Sequence, residues 1–334
     1  IFEKGQNAPH AFHLPFSSKD AALKNDISGC ENMIILNGKW KFRWVETPAQ
    51  VPEGFWTPDF NCKDWDEIKV PSNWQMEGYG HPKFRNIQLT FESDPPKIPD
   101  YYNPTGCYKH IFNIPSHWKN KEIMLRFEGV KSASYVWING KRAGYNQGGF
   151  EPAEYNITPF VKPGKNDLSV QVIRFSDGSY LENQDMWRLS GIYRDVKLYA
   201  QPKTYIHDFY VVTDLDENYH NATLLVETDI QNKSNNISSC SLEIDVLDEQ
   251  LQSILDNGAE IADFKVEGVS QKKVKISTKV ENPKKWSAEY PDLYTLLFIL
   301  KDSKGKVMEA FTHKIGFREV ELVNNIFKIN GVPI

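Results

Sequence analysis

Long apolar runs, closely spaced cysteines, blocks of like charge and sustained helical periodicity are all missing from this 334-residue chain. Each absence closes a class of function. No stretch approaches the roughly 20 apolar residues that span a bilayer as a helix, so no membrane partner is expected. Cys30, Cys62, Cys107 and Cys240 lie far apart, with no Cys-x-x-Cys pair and no histidine at metal-ligand spacing. Zinc and thiol-redox motifs are therefore excluded, and free thiols are expected. The formal charge of −5 contains no run of one sign, which gives no reason to expect nucleic acid or another polyanion as a partner. Apolar residues recur at three and four spacing over no long capped segment, and proline interrupts too often for helices to dominate. The chain begins at Ile1 rather than methionine, so removal of a preceding segment is expected.

Aromatic side chains are plentiful at 13% of residues. They suit a β-sandwich core, the expectation for most of them, and also the flat apolar faces of sugars. The length allows two or more domains, each with its own core. Asn-Gly pairs at Asn37, Asn139, Asn257 and Asn330 lie beside β-branched and aromatic runs, which predicts tight hairpin turns. Strands are predicted at Trp40–Trp44, Tyr108–Ile114, Glu122–Phe127, Ala133–Ile138, Leu168–Phe175 and Val196–Tyr199. That many short strands in one unit argue a sandwich or jelly roll. The stretch from His81 to Pro104 holds Pro82, Pro95, Pro96, Pro99 and Pro104, too irregular for a strand and too long for a passive connector, so it is a candidate binding loop. After Gln201-Pro202-Lys203, alternation resumes in Ile206–Val212, Ala222–Ile230, Ser241–Leu247, Val274–Val280 and Tyr294–Leu300, a spacing that fits an immunoglobulin-like sandwich. A further hairpin starts at Ile326 and the sequence stops at Ile334, as expected of a piece of something longer. The fold class expected is all-β.

The loop from Ser176 to Ile192 concentrates the chemistry: carboxylates, an aromatic and glycines lie between two strand-like segments. Such a pinned, irregular loop commonly holds a ligand. Asp177-Gly178 reads as turn chemistry, whereas Met186 and Trp187 are expected to pack inward, leaving Asp185 partly desolvated. A carboxylate in that position is either an anchor for its own loop, paired with Arg188 or Arg194, or a ligand for something bound.

Several runs carry a resemblance when taken together. They are Leu36-Asn37-Gly38-Lys39-Trp40-Lys41-Phe42, Val70-Pro71-Ser72-Asn73-Trp74-Gln75-Met76, Asn103-Pro104-Thr105-Gly106-Cys107-Tyr108, Phe127-Glu128-Gly129-Val130, the 176–192 loop, and Trp286-Ser287-Ala288-Glu289-Tyr290-Pro291-Asp292-Leu293-Tyr294. Over essentially its whole length the chain resembles the N-terminal part of a glycoside hydrolase family 2 β-galactosidase of the large bacterial type. The resemblance implies an N-terminal extension over 1–34, a jelly-roll sugar-binding domain over 35–201, an immunoglobulin-like domain over 202–316, and over 317–334 the start of a truncated (β/α)8 barrel. It implies a retaining reaction whose acid/base and nucleophile glutamates, about 5 Å apart, both belong to the missing barrel. The fragment is then expected to be inactive alone.

By motif match Asn103 looks like the asparagine that hydrogen-bonds galactosyl hydroxyls. Asp185, in Gln184-Asp185-Met186-Trp187-Arg188, looks like the aspartate that takes the sugar's C6 hydroxyl and, in several members, a sodium ion. An ionised carboxylate suits a hydroxyl and a hard cation, and an amide both donates and accepts. For the parent the resemblance implies sodium and magnesium as ions, a β-galactoside as substrate and a homo-oligomer as assembly. Where many relatives carry aspartate, Asn183 stands two residues before Asp185, which removes a negative charge near the proposed sodium position. Trp187, Arg188 and Gly191 are expected as loop scaffold, Trp74 as core, and Glu128, Glu182 and Glu289 as solvated or ion-paired. Other family 2 members cleave glucuronides or mannosides, but the Gln-Asp-Met-Trp-Arg run argues for galactosides. A stand-alone glycan-binding sandwich is the alternative from another class, and the barrel-like start after Gly316 speaks against it.

Overall fold

The computed structural model describes residues 7–86, 88–182 and 184–334, and divides the chain into two compact units. The first takes up Met33–Ala200 together with Asn7 and Ala8, and the second Pro9–Asn32 and Gln201–Ile334. Both are built from antiparallel strands, as the alternation predicts.

The first unit contains β1 (Met33–Ile35), β2 (Gly38–Val45), β3 (Asp66–Val70), β4 (Phe84–Arg85), β5 (Thr105–Ile114), β6 (Glu122–Phe127) and β7 (Val130–Lys131). There follow β8 (Ala133–Ile138), β9 (Lys141–Asn146), β10 (Ala153–Asn156), β11 (Gly164–Ile173), β12 (Met186–Trp187), β13 (Gly191–Ile192) and β14 (Val196–Gln201). One sheet runs β3-β2-β5-β11-β8-β9 and the other β1-β14-β6-β10, the two layers of a jelly roll. Their inward residues, among them Trp40, Phe42, Tyr108, Leu125, Val136, Leu168, Val170 and Leu198, form one continuous apolar core. Trp74 is fully buried within it, as expected. Two short ribbons, β4 with β12 and β7 with β13, lie outside the main sheets.

The second unit contains β15 (Thr204–Leu215), β16 (Ala222–Asn232), β17 (Ser238–Leu247), β18 (Glu260–Val266), β19 (Ser270–Val280), β20 (Tyr294–Asp302) and β21 (Val307–Ile315). Sheets β15-β16-β19 and β18-β17-β20-β21 face each other around Ile206, Leu224, Val226, Leu242, Ile244, Phe298 and Phe311, the seven-strand immunoglobulin-like plan. Pro9–Asn32 belongs to this unit. His13 stacks on Phe311 at 3.9 Å between ring centres and pairs through Nε2 with the buried Glu309, and Phe16 bridges to Ala310. The short helix α1 (Lys19–Lys24) is capped by the Ser18 side chain and lies against β20 and β21. A three-stranded meander, β22 (Val320–Val323), β23 (Ile326–Ile329) and β24 (Val332–Pro333), follows.

Only two of the four Asn-Gly pairs turn tight hairpins. Asn139-Gly140 and Asn330-Gly331, with φ of 51 and 80 degrees and of 50 and 77 degrees, close β8–β9 and β23–β24. Asn37 instead leads from one sheet to the other: β1 pairs with β14 while β2 pairs with β3, and the Asn37 side chain accepts from Val196 N and donates to Asp195. Asn257-Gly258 lies in the long connection from β17 to β18, and of this pair only the glycine takes a positive φ. No disulfide is present among the described residues.

The jelly roll holds one buried ion pair between its central strands. Lys109 on β5 places Nζ 2.9 Å from Asp167 Oδ1 and 2.9 Å from Ser169 Oγ on β11, and also donates to the carbonyls of Phe55 and Thr57 at 3.1 Å. Removing one member strands the other's charge in the interior. Lys109→Met is therefore expected to cost about 3–5 kcal/mol, seen as a lowered urea midpoint of the first unit's transition.

Candidate functional site

The site residues predicted from sequence lie where the central ladder of the jelly roll runs out. β5 and β11 pair from Gly164 opposite Ile114 up to Ile173 opposite Thr105. The next β5-side residue is Pro104, which has no N–H to give. Arg174 N still donates to Pro104 O at 2.9 Å, and the Asn103 side chain then takes over from the backbone. Its Nδ2 donates to Phe175 O and its Oδ1 accepts from Phe175 N, both at 2.9 Å. Asn103 N in turn donates to Glu46 O at 2.9 Å. Asn103 is 6% exposed, so this amide acts as a piece of β-ladder. The bidentate bridge uses one donor and one acceptor of the four such positions an amide offers.

The Pro-rich segment and the 176–192 loop are stitched to each other. Phe91 packs edge-on against Phe175 and Tyr180, with ring centres 5.0 and 5.6 Å away, and Tyr180 Oη donates to Lys97 O at 2.6 Å. Arg188 N donates to Lys83 O, Trp187 pairs with Phe84, Met186 with Arg85, and Asp185 N donates to Asn86 O. On this ribbon Met186 and Arg188 turn inward, while Asp185 and Trp187 turn out. The expectation that Trp187 packs inward is thus overturned: it is 58% exposed, its ring 5.8 Å from that of Phe84, which is also exposed. Period-two alternation on a two-residue strand places it there, since burying Met186 and Arg188 leaves Trp187 on the other face.

Asp185 is exposed as well, not half-desolvated, with a φ of +51 degrees. Among the described residues its carboxylate makes no hydrogen bond or ion pair, so it pairs with neither Arg188 nor Arg194. No hydrogen bond joins Asn103 to Asp185; the fold brings their segments together, not their side chains. Asn183, the position of the missing charge, lies outside the described residues. The loop rejoins the sandwich at Gly191, whose φ is +124 degrees and where a Cβ would lie 2.9 Å from Ser72 O. Only glycine fits that re-entry.

Beneath the ribbon the charge is positive. Lys131 is buried with Nζ 3.2 Å from Met186 Sδ and 4.3 Å from the centre of the Phe150 ring. Burial pushes its ammonium down to about 8, against the pull of Glu182 and with a further push from Arg188. Burial likewise raises the Glu182 carboxyl, opposed by a Gly149 backbone hydrogen bond and by Lys131. Arg188 donates to the carbonyls of Met186 and Arg85, and Arg174 to those of His81 and Arg188. Both guanidinium groups are lowered by burial. Sequence reasoning passed over Lys131 and Arg174, although Arg174 continues the inward face of Leu168, Val170 and Val172. A charged residue in register with that apolar face was the available signal.

Several carboxylates that the sequence brings to notice have partners of their own. Glu128 is ion-paired with Arg126 and Lys197 at 3.1 and 2.9 Å, and Glu289 accepts from Ser287 Oγ at 3.0 Å. Asp177 accepts from the Gln147 side chain. Asp185 is the one oxygen ligand this chain is expected to offer a sodium ion. Among the described residues no three His, Cys, Asp or Glu side chains cluster to hold a metal, so the donor set does not by itself fit an ion. The arrangement suits binding a polyhydroxylated ligand: an exposed anionic acceptor, an amide and a rigid base.

Comparisons with known proteins bear on the family and the fold. Residues 33–202 match the model for "Glycosyl hydrolases family 2, sugar binding domain" and 204–318 that for "Glycosyl hydrolases family 2". A β-galactosidase of Priestia megaterium is 39% identical over 100% of this chain, and one of Psychromonas ingrahamii is 39% identical over 96%. The chain spans 32% and 30% of those two proteins, about a third of their length. Among solved structures, a β-glucuronidase of Bacteroides uniformis is similar with a TM-score of 0.74, 23% identity, and 90% of this chain and 34% of that one covered. That likeness shows the fold alone.

Two outcomes are expected. Asn103→Ala leaves the Phe175 N–H and C=O unsatisfied and is expected to cost about 2–4 kcal/mol in urea denaturation, whereas Asp185→Asn, on an exposed side chain, leaves the midpoint unchanged. Lys131 titrates below its ordinary 10.5 in the folded state, so between about pH 8 and 10.5 the unfolded chain holds the extra proton and stability rises with pH. Lys131→Met is expected to be more stable than the parent at pH 7.5, with the advantage shrinking as pH climbs through that window, read from denaturation curves at stepped pH.

Proposed function

The chain belongs to glycoside hydrolase family 2, and from that premise we propose that it is the N-terminal, non-catalytic part of a retaining β-galactosidase. In this reading the chain supplies one edge of the galactose site. The observation that carries it is the sequence likeness to β-galactosidases along the whole chain. The site's geometry supports it. Asp185 has an uncommitted carboxylate to accept from the C6 hydroxyl, and Asn103 keeps one N–H and one lone pair for vicinal hydroxyls after bridging to Phe175.

The chemistry divides accordingly. The acid/base and nucleophile glutamates of a retaining reaction are assigned to a barrel beyond Ile334, begun by 317–334. This chain's residues bind and orient the galactosyl ring so that its anomeric carbon meets that pair, which is how binding groups remote from the reacting atoms lower a barrier. Sodium is proposed for the parent only, because Asp185 alone does not make a cation site among the described residues. Magnesium and homo-oligomeric assembly are proposed for the parent only.

The test compares the purified 334-residue chain with the product of the whole reading frame that encodes it, on nitrophenyl galactoside and glucuronide. The full product is expected to cleave the galactoside in preference and the 334-residue chain neither. Clear hydrolysis by the 334-residue chain, or a preference for the glucuronide, would falsify the assignment.

A further inference from the structure

Arg174 carries a full charge that no carboxylate neutralises among the described residues. It is 3% exposed, and Nη2 makes both of its carbonyl contacts, to His81 O at 3.2 Å and Arg188 O at 2.9 Å. Its Cζ lies 5.1 Å from the centre of the Phe175 ring, the Tyr102 hydroxyl of the Pro-rich segment interacts with the guanidinium as well, and Nε and Nη1 have no partner in hydrogen-bond geometry. Two buried cations in the sheets of this unit are treated differently. Lys109 faces Asp167, and Arg126 faces Glu154 and Glu128. A buried charge without a counter-ion is costly, and two carbonyls alone would be served by a neutral amide.

The carbonyls it ties are telling. His81 lies three residues before β4 and Arg188 directly after β12, so one guanidinium nitrogen holds both strands of the ribbon that presents Asp185. Its own backbone lies between the Pro104 contact and the Phe175–Asn103 bridge. Arg174 is therefore the single side chain that connects the Asp185 ribbon to the Asn103 bridge through described hydrogen bonds at the end of β11.

The geometry points to Arg174 as the positioning residue of the sugar site: it fixes the β4–β12 ribbon, and with it Asp185, relative to Asn103. What is positioned rests on the galactoside reading; the positioning itself does not. Three variants of the whole-frame product test it, Arg174→Gln, Arg174→Lys and Asp185→Asn. Arg174→Gln is expected to raise KM for nitrophenyl galactoside about ten-fold with kcat changed less than about three-fold, and Arg174→Lys to recover part of the loss. In parallel, hydrogen exchange of the 334-residue chain carrying Arg174→Gln is expected to speed up in peptides covering 81–104 and 176–192, with β6, β8 and the second unit unchanged.

Unchanged exchange in those two segments overturns the inference. So does loss of protection throughout the first unit, which marks a general structural role, and so does an unchanged KM where Asp185→Asn does weaken binding. If Asp185→Asn leaves galactoside kinetics untouched, the galactoside reading fails instead, and the exchange result alone decides whether Arg174 holds the ribbon.

Discussion

Everything at this site depends on how a β-ladder continues past a proline. Pro104 ends the run of backbone donors on the β5 side, yet β11 goes on for two more residues whose N–H and C=O groups are buried and must be met. The Asn103 amide meets them with the same donor and acceptor spacing as a peptide unit, at 2.9 Å in both directions. The take-off of the Pro-rich segment and that of the 176–192 loop are thereby locked to one another. A side chain read from sequence as a ligand for sugar hydroxyls is thus first a structural element, and only its remaining donor and acceptor are left for a ligand.

The distribution of buried charge follows from the same arrangement. In the sheet interior cations face carboxylates: Lys109 with Asp167, and Arg126 with Glu154. Under the ribbon, Arg174 and Arg188 face carbonyls, while Lys131 faces a thioether and an aromatic ring. Carbonyl partners satisfy geometry without cancelling charge, so Arg174 keeps the base of the loop positive, with the half-buried Glu182 nearby. Such a base favours electron-rich ligand oxygens over cationic ones.

Strand periodicity made most of the framework readable, because one-sided burial forces period-two alternation: all eleven predicted strands overlap observed ones. β18 and β21 escaped for a physical reason. Glu-Ile-Ala-Asp-Phe-Lys-Val and Val-Met-Glu-Ala-Phe-Thr-His-Lys-Ile carry charged or small residues within the pattern, and the buried Glu309 breaks it outright by pairing with His13. Asn-Gly chemistry identified a left-handed turn, but at Asn37 the partner strands lie in different sheets, which no local signal reveals. Side-chain orientation in the 176–192 loop was not legible. Whether Trp187 faces in or out depends on which neighbour the ribbon buries, and that is set by Phe84, a hundred positions earlier.

The backbone at Asp185 narrows what its identity means. A φ of +51 degrees is strained for most side chains, and glycine, asparagine and aspartate are the residues that take it readily. Conformation alone therefore admits three residues at this position. Glycine would bring no acceptor to the ribbon, and asparagine would bring an amide with no charge. Because the carboxylate has no partner within the described structure, nothing in the fold itself selects aspartate over asparagine. On the proposed galactoside reading, a ligand that calls for a charged acceptor is what would distinguish aspartate from asparagine at this position.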